Sequence, residues 1–225
     1  MRILFLSAEA APLVKIGGLG DVAGSLPTAL QALPESPDVR LVLPLYPQIK
    51  KSRIDLNPVT SFEIPYDQGS LLVKVFEAEV KGITTYFIDG PPVSAAPSVY
   101  STDNYFDGIK FTFFSLAALE LAKNLNWQPD IIHAHDWHAA PAVYKLSLIR
   151  EADIFYQNTK SLLTVHNLPY QGQGSEAALK DFGLPRAHKS PLPEWAEGLP
   201  LPLGLLSADL INTVSPGYAR EILTP

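Results

Sequence analysis

Short runs of consecutive apolar residues alternate along the chain with longer segments of helical spacing. Residues 2–8 hold four apolar residues in a row without polar alternation, which is typical of a strand buried on both faces. Residues 22–33 then have apolar positions at helical spacing, Pro34 ends the predicted helix, and residues 39–43 form a second apolar run. This order of strand, glycine-rich turn, helix and strand predicts a βαβ unit and therefore a parallel sheet.

The remaining elements are predicted from the same patterns. Further strands are expected at residues 61–64, 71–80, 83–88, 131–132, 161–165 and 210–214, and further helices at 105–125, 139–149, 176–182 and 216–223. The strands between 61 and 88 are separated by turn signals and predict a β-meander, whereas residues 89–104 and 183–205 are expected to be loops rich in proline. The sequence thus predicts an α/β, Rossmann-like fold with a doubly wound, mostly parallel sheet and a β-meander insertion.

Composition narrows the class of protein. The chain has 225 residues, 47% of them hydrophobic, and a net charge of -6, which favours one folded domain over residues 1–225. The acidic balance argues against a nucleic-acid partner, and the absence of cysteine excludes disulfides and thiolate chemistry. The longest apolar helix, residues 111–125, carries charges and is shorter than the ~20 residues of a membrane span. With Glu9 interrupting any secretory leader, we expect a cytoplasmic protein without membrane contact.

Most of the unusual polar residues follow predicted strands. In a doubly wound sheet, ligands bind at the carboxyl ends of the strands, so we expect a site at that edge. The clusters are Lys-Ile-Gly-Gly-Leu-Gly-Asp at residues 15–21, His-Ala-His-Asp-Trp-His at 133–138, His-Asn at 166–167 and Ser-Pro at 215–216. The last of these is more simply a capped helix start with proline at its first position.

The glycine loop after the first strand has two interpretations. Backbone N–H groups of Gly17 and Gly18 would approach an anion, the helix dipole would assist, and Lys15 would add positive charge at the mouth. The segment matches neither the dinucleotide-binding fingerprint nor the P-loop pattern. A tight turn with Asp21 as the helix N-cap explains the same residues, and on the sequence alone the two interpretations are level.

Three of the five histidines lie within residues 133–138, and this cluster also has more than one interpretation. A zinc site on His133, His135 and Asp136 is one of them, although further ligands would have to come from elsewhere. A sugar site is another, in which Asp136 accepts hydrogen bonds from hydroxyl groups and Trp137 offers a flat face to a sugar ring. Each histidine taken singly is more simply a buried, hydrogen-bonded residue, but the cluster at a strand end favours function.

Two further segments supply candidate sugar contacts. His166 follows the next predicted strand, where it would donate to a hydroxyl group or act as an acid or base near neutral pH. Tyr100 begins a segment, residues 100–107, whose aromatic and hydroxyl groups suit carbohydrate and suit a solvated connection equally well.

These motifs together resemble a known family. Residues 15–21, after the first strand, resemble the Lys-x-Gly-Gly-Leu-Gly-Asp opening of bacterial glycogen synthases and plant starch synthases, and residues 133–138 are similar to their His-Ala-His-Asp-Trp-His segment. Residues 164–172 and 212–221 match in order and spacing. The resemblance extends from residue 2 to 224 and covers the amino-terminal half of the family's catalytic unit.

The resemblance implies a GT-B type glycosyltransferase, in which two Rossmann-like domains face each other across a cleft. The implied reaction transfers glucose from ADP-glucose (UDP-glucose in some relatives) to the non-reducing end of an α-1,4-glucan with retention, without a metal or another cofactor. The chain would be the amino-terminal domain, and its partner would be a carboxyl-terminal nucleotide-binding domain that the chain lacks. Alone it is expected to be inactive or weak, and a non-catalytic glucan-binding or regulatory module is the alternative.

The resemblance also assigns roles to individual residues. It implies catalytic roles for Asp136 and His166, donor phosphate binding by Lys15, Gly17 and Gly18, and sugar or acceptor binding by Asp21, Tyr100, Trp137 and Asn167. Residues 183–208 depart from the family, which has a helix with Asn and Lys there, whereas this chain has prolines and Leu203-Gly204-Leu205-Leu206.

Overall fold

In the part of the chain that the structure describes, eight strands form a single sheet, with helices packed on both of its faces. The computed structural model describes residues 1–52 and 54–224. The strands are β1 (Arg2–Leu6), β2 (Asp38–Pro44), β3 (Asn57–Tyr66), β4 (Gly69–Val80), β5 (Ile83–Asp89), β6 (Ile131–His135), β7 (Lys160–Val165) and β8 (Leu210–Thr213). The helices are α1 (Gly18–Ala23), α2 (Leu26–Gln31), α3 (Pro47–Lys50), α4 (Pro91–Ser94), α5 (Asn104–Asn124), α6 (Asp136–Ile149), α7 (Glu176–Asp181), α8 (Pro200–Ser207) and α9 (Pro216–Glu221).

The strand order confirms the predicted Rossmann-like fold. The strands lie in the order β3-β4-β5-β2-β1-β6-β7-β8, and the six from β5 to β8 are parallel. When β3 and β4 are set aside, this is the classic dinucleotide-fold order 3-2-1-4-5-6. Strands β3 and β4 are antiparallel and join the edge through β5, which confirms the predicted meander. The order reverses between β1 and β6, and a crevice opens there at the carboxyl ends of the strands.

The first strand shows why its sequence has no polar alternation. Leu4 and Leu6 belong to the hydrophobic cluster on one face of the sheet, whereas Ile3 and Phe5 belong to the cluster on the other face. Both faces of a central parallel strand are covered by helices, so every position along it is buried. The long helix α5 is likewise buried on several sides, which explains apolar residues all around its axis.

Several predicted boundaries are wrong; β3, for example, begins at Asn57 rather than at residue 61. The single helix expected at 22–33 is two helices, α1 and α2, because Gly24 ends the first of them against Ala11. A Cβ at Gly24 would lie 2.3 Å from the carbonyl oxygen of Ala11. The strand expected at 131–132 continues to His135, and the following helix begins at Asp136 rather than at residue 139.

The proline-rich segment expected to be a loop contains helix α8. Pro200 and Pro202 lie in its first turn, where a missing backbone N–H breaks no helical hydrogen bond. Gly204 lets the helix approach α6 closely, since a Cβ there would lie 2.7 Å from the Cβ of Ala140. The composition suggested a loop, but these two prolines occupy the first turn, where a helix tolerates them best. The short helix α4 was missed in the same way.

The start of α9 and the charges within the longest helix agree with the patterns in the sequence. Ser215 is the N-cap of α9, with its hydroxyl accepting a hydrogen bond from the backbone N–H of Tyr218 at 3.0 Å, and Pro216 follows as predicted. Within the described ranges, no helix has both the length and the apolar character needed to cross a membrane.

Candidate functional site

A cavity of about 670 Å³ opens at the reversal point of the sheet, above the carboxyl ends of β1, β6 and β7. Most of the residues predicted to form a site line it: Gly17, Gly18, Tyr100, Asp136, Trp137, His166 and Asn167. The structure therefore brings together residues from four separate segments of the sequence. The cavity is also lined by residues to which the sequence assigned no individual role, among them Glu9, Asn104, Asp107 and His138.

Lys15 and Asp21, two of the predicted site residues, lie outside this lining. Their side chains form an ion pair at 2.8 Å and are 50% and 61% exposed. Such an exposed pair contributes little to stability, so either partner is available to another ligand at small cost. Asp21 is not the N-cap of α1, because Gly17 holds that position and Asp21 lies within the first turn.

Glu9 is the buried carboxylate that organises the glycine loop. It is 1% exposed, and its Oε2 accepts hydrogen bonds from the backbone N–H groups of Ile16 and of Gly17, the second at 3.1 Å. Its Oε1 accepts a hydrogen bond from the hydroxyl of Tyr100 at 2.9 Å. The N–H of Gly17, which was expected to bind a phosphate, is therefore already used within the protein. A single carboxylate after a buried strand was the only signal in the sequence for this role.

Replacing Glu9 with Gln is expected to lower the free energy of unfolding by about 1–3 kcal/mol, because hydrogen bonds to a buried charged acceptor are lost. Urea unfolding followed by circular dichroism measures the change. Glu63→Gln is the matched control, since Glu63 is exposed and its carboxylate accepts one hydrogen bond, from Ser70. The control is expected to change stability by less than about 0.5 kcal/mol. Equal effects of the two substitutions would contradict the role given to Glu9.

Asp136 links the ends of β6 and β7. Its Oδ1 accepts hydrogen bonds from the backbone N–H groups of His166 and Asn167, at 2.7 and 3.3 Å. Burial raises the pKa of Asp136 to about 6, the negative charge of Glu9 adds to this, and the two N–H donors oppose it. Its φ of 55° lies in the left-handed region, where Asp and Asn are the most tolerated non-glycine residues. Asp136 is not a helix cap, because the N-cap of α6 is His135.

The histidines of β6 are buried in the sheet rather than gathered around an open metal position. The Nε2 atom of His133 lies 2.7 Å from the hydroxyl oxygen of Thr164, and Nδ1 of His135 lies 2.9 Å from Nε2 of His166. Burial lowers the pKa of His133 and of His166 to about 4, so both rings are neutral at pH 7. Within the part of the chain that the structure describes, no three His, Cys, Asp or Glu side chains converge as metal ligands. The zinc interpretation therefore has no supporting geometry.

An aromatic wall closes one side of the cavity. Trp137 is partly buried and packs its ring edge-on against Phe111, with the ring centroids 5.1 Å apart. The ring of His138 packs against those of Trp137 and Tyr100, at 4.5 and 5.0 Å. Burial lowers the pKa of His138 to about 3, and the positive charge of Lys110 acts in the same direction. The wall thus combines flat apolar faces with a neutral imidazole, a composition suited to a sugar ring.

A buried ion pair fixes the segment that carries Tyr100. Lys110 is fully buried and donates to Oδ1 of Asp107 at 2.6 Å and to the carbonyl oxygen of Val99 at 2.7 Å. The other carboxylate oxygen of Asp107 accepts a hydrogen bond from the N–H of Ser101 at 2.9 Å. The pair therefore holds both neighbours of Tyr100 in place. No periodicity or motif pointed to it, since a lysine in a helix usually indicates a solvated face.

Known proteins are similar to this chain over its whole length. The family model of the starch synthase catalytic domain matches residues 2–225. The glycogen synthase of Variovorax paradoxus (strain S110) is 40% identical over 238 residues, and the match covers 100% of this chain and 47% of that protein. The glycogen synthase of Moorella thermoacetica is 38% identical over 231 residues, covering 100% of this chain and 46% of that protein.

A solved structure shows the same likeness. The catalytic domain of starch synthase IV from Arabidopsis thaliana, bound to ADP and acarbose, superposes with a TM-score of 0.87 at 30% identity, covering 99% of this chain and 46% of that chain. The chain thus spans about half the length of the curated relatives that it matches. Since the family model extends over all four strand-end clusters and nearly every residue, the chain belongs to the starch synthase catalytic domain family.

Proposed function

We propose that residues 1–225 form the amino-terminal half of a retaining glucosyltransferase that transfers glucose from ADP-glucose to the non-reducing end of an α-1,4-glucan. The observation that carries the proposal is the cavity at the sheet reversal, which combines the buried carboxylate of Asp136, the neutral ring of His166 and the aromatic face of Trp137. The relatives are named glycogen synthase, and the starch synthase structure holds ADP and acarbose, which supports a nucleotide sugar and a glucan as substrates.

The proposed chemistry follows from the charges in the cavity. Positive charge develops at the anomeric carbon in the transition state of glycosyl transfer, and a nearby carboxylate stabilises it. Asp136 supplies that carboxylate, since it is ionised above its pKa of about 6. The leaving diphosphate requires cations and N–H donors. In this chain the cation is Lys15, which would leave its ion pair with Asp21 and bind the phosphate. The N–H donor is the backbone of Gly18, because the N–H of Gly17 is already bound to Glu9.

The acceptor glucan is assigned to the aromatic side of the cavity. Trp137 would stack on a sugar ring there, and the Tyr100 hydroxyl and the Asn167 amide would contact its hydroxyl groups. The remaining donor contacts are assigned to a carboxyl-terminal Rossmann-like domain facing this cavity, since the curated relatives are about twice as long as this chain. A cytoplasmic site of action is part of the proposal, and fractionation of cells that express the chain from its own gene tests it.

The proposal is tested by completing the cleft. The chain is fused to the second half of the Variovorax paradoxus relative, and transfer of radiolabelled glucose from ADP-glucose to maltotetraose is measured. We expect transfer by the fusion and little or none by the 225-residue chain alone. A correctly folded fusion that binds both substrates without any transfer would contradict the proposal. Turnover by the chain alone at the rate of a full-length relative would contradict the assignment of half the cleft to another domain.

A glucan-binding or regulatory module without catalysis is the second candidate function, because the aromatic wall and the polar groups of the cavity need no nucleotide to hold a sugar ring. It predicts malto-oligosaccharide binding that is independent of any nucleotide. Calorimetric titrations with maltotetraose and with ADP-glucose, each alone and in the presence of the other, distinguish the two functions. Heat from ADP-glucose, or transfer by the fusion, favours the transferase, whereas glucan heat together with a fusion that transfers nothing favours the module.

We expect Trp137→Ala to weaken maltotetraose binding by tenfold or more, which corresponds to about 1.4 kcal/mol, because an aromatic anchor in a partly buried wall is lost. Trp195→Ala is the matched control, since Trp195 is 65% exposed on the short 3₁₀ turn Glu194–Ala196 and lies outside the cavity. The control is expected to bind as the unmodified chain does. Equal affinities of the two variants for maltotetraose would contradict binding of the glucan at the aromatic wall.

A further inference from the structure

The contact between His135 and His166 links a fully buried ring to a ring that lines the cavity. The Nδ1 atom of His135 lies 2.9 Å from Nε2 of His166, and His135 is 0% exposed. We propose that His135 is a positioning residue that fixes the tautomer of His166, so that His166 carries its proton on Nδ1 and presents an N–H donor to a sugar hydroxyl. The nature of the ligand rests on the proposed function, whereas the tautomer does not.

The His135 ring is held in one orientation by its neighbours. It packs against the rings of Phe5 and His133, with centroid distances of 4.3 Å to each and interplanar angles of 34° and 33°, and those two rings also contact each other at 4.8 Å. A ring packed in this way in a dense core does not turn without opening a gap. Its Nδ1 edge therefore faces Nε2 of His166.

The position of the shared proton follows from the other nitrogen of His135. Burial lowers the pKa of both histidines, so both rings are neutral and a single proton lies between Nδ1 and Nε2. The Nε2 atom of His135 is buried and has no hydrogen-bond partner among the described residues. If His166 donated to His135, that Nε2 would carry an orphaned, buried N–H, which native structures rarely contain. If His135 donates through Nδ1, only an acceptor lone pair stays unpaired.

The neighbouring histidine does not compete for this proton. The hydroxyl of Thr164 donates to Oδ1 of Asn212 at 2.6 Å, so the same hydroxyl oxygen accepts from Nε2 of His133 at 2.7 Å. Since a hydroxyl has only one hydrogen to donate, the proton of His133 is fixed on Nε2. The two histidines of β6 thus hold opposite tautomers, His133 because of the hydroxyl of Thr164 on β7 and His135 because of its own unpaired Nε2.

His166 therefore presents to the cavity an N–H donor of fixed direction. With Nε2 of His166 accepting from His135, its proton lies on Nδ1, which makes no hydrogen bond to residues 1–52 or 54–224 and belongs to a ring that lines the cavity. A neutral N–H group pairs with the lone pair of a hydroxyl oxygen. In the absence of His135 the ring would exchange between tautomers and would present a bare nitrogen for part of the time.

The tautomers are measured by nitrogen-15 NMR of the 225-residue chain at pH 7.5 without ligand, since protonated and bare imidazole nitrogens resonate in well-separated ranges. We expect a protonated Nδ1 and a bare Nε2 for His166 in the unmodified chain. In His135→Phe we expect the two nitrogens of His166 to shift toward the averaged values of a ring in water. His133→Phe, the matched control, removes a ring of the same strand and stack and is expected to leave the His166 signals unchanged.

A bare Nδ1 on His166 in the unmodified chain overturns the inference, and so does an unchanged tautomer in His135→Phe. The reading on the unmodified chain keeps the test valid if His135→Phe fails to fold. Titration with maltotetraose follows, and a several-fold weaker affinity is expected for His135→Phe than for His133→Phe. Absence of sugar binding by the unmodified chain, together with the expected tautomer, would contradict the proposed function and leave the role of His135 established.

Discussion

Replacing Lys110 with Met is expected to lower the free energy of unfolding by about 3–5 kcal/mol, because it leaves the buried carboxylate of Asp107 without its partner. For a domain of this size, that loss corresponds to a decrease of about 6–20 °C in the melting temperature. Lys110 is 0% exposed, so water cannot replace the lost ammonium group without opening the core. Urea unfolding at pH 7 measures the free energy, and thermal unfolding followed by circular dichroism measures the midpoint.

Two further variants show whether the loss comes from the pair. Lys110→Met combined with Asp107→Asn removes the uncompensated charge and is expected to be more stable than Lys110→Met alone. Lys160→Met is the matched control, since Lys160 pairs with Asp209 at 3.6 Å and its side chain is 69% exposed. That surface pair is expected to contribute less than about 1 kcal/mol. A loss of under about 1 kcal/mol in Lys110→Met would contradict a structural role for the buried pair.

Replacing Asp136 with Asn is expected to stabilise the fold at neutral pH and to abolish most of the transfer reaction. The folded chain holds the pKa of Asp136 at about 6, against an ordinary value of 3.8, so folding is penalised when the group ionises. Below about pH 4 the carboxyl is protonated, and the free energy of unfolding is about 3 kcal/mol higher than at neutral pH. This contribution is lost as the pH rises through 6. Asp136→Asn has no such titration.

The stability difference between Asp136→Asn and the unmodified chain is therefore expected to grow from pH 4 to pH 7.5. Urea unfolding at four or five pH values across this range measures it. Asp136→Ala is the matched control, because alanine also lacks the charge but neither accepts the two N–H bonds nor tolerates the φ of 55°. It is expected to be less stable than Asp136→Asn at every pH. A stability difference that stays constant between pH 4 and 7.5 would contradict the raised pKa.

The same substitution has the opposite effect on the proposed reaction. In the fusion with the second half of a relative, Asp136→Asn is expected to lower the transfer rate by about 100- to 1000-fold, since the carboxylate no longer stabilises developing positive charge. Binding of maltotetraose is expected to change far less, because the amide retains an acceptor oxygen. A transfer rate within threefold of that of the unmodified fusion would contradict a role for Asp136 in the reaction. A carboxylate that costs stability and supports catalysis is typical of functional sites.

Residues with strong local signals were predictable from the sequence. The apolar run of β1 and the long, largely apolar segment of α5 indicated their elements, since burial on both sides of a strand leaves no polar position and a strand rarely exceeds about ten residues. The strand-end rule predicted one site for Asp136, Trp137 and His166, because the carboxyl ends of parallel strands meet at one edge. All three residues line the same cavity. The boundary between β6 and α6 was not predictable, since histidine and aspartate have no strong preference for either element.

The sequence by itself determined the order of the strands and of the helices other than α3, α4 and α8, the Rossmann-like class and the edge of the sheet at which the polar residues gather, because these depend on local periodicity and on chain order. Only the tertiary structure decided which polar groups are free and which are already bonded. Glu9 uses the N–H of Gly17, Lys110 is paired deep in the core, and His135 meets a ring 31 positions further along the chain. Such contacts join residues far apart in sequence, and their energies depend on burial, which no local pattern records.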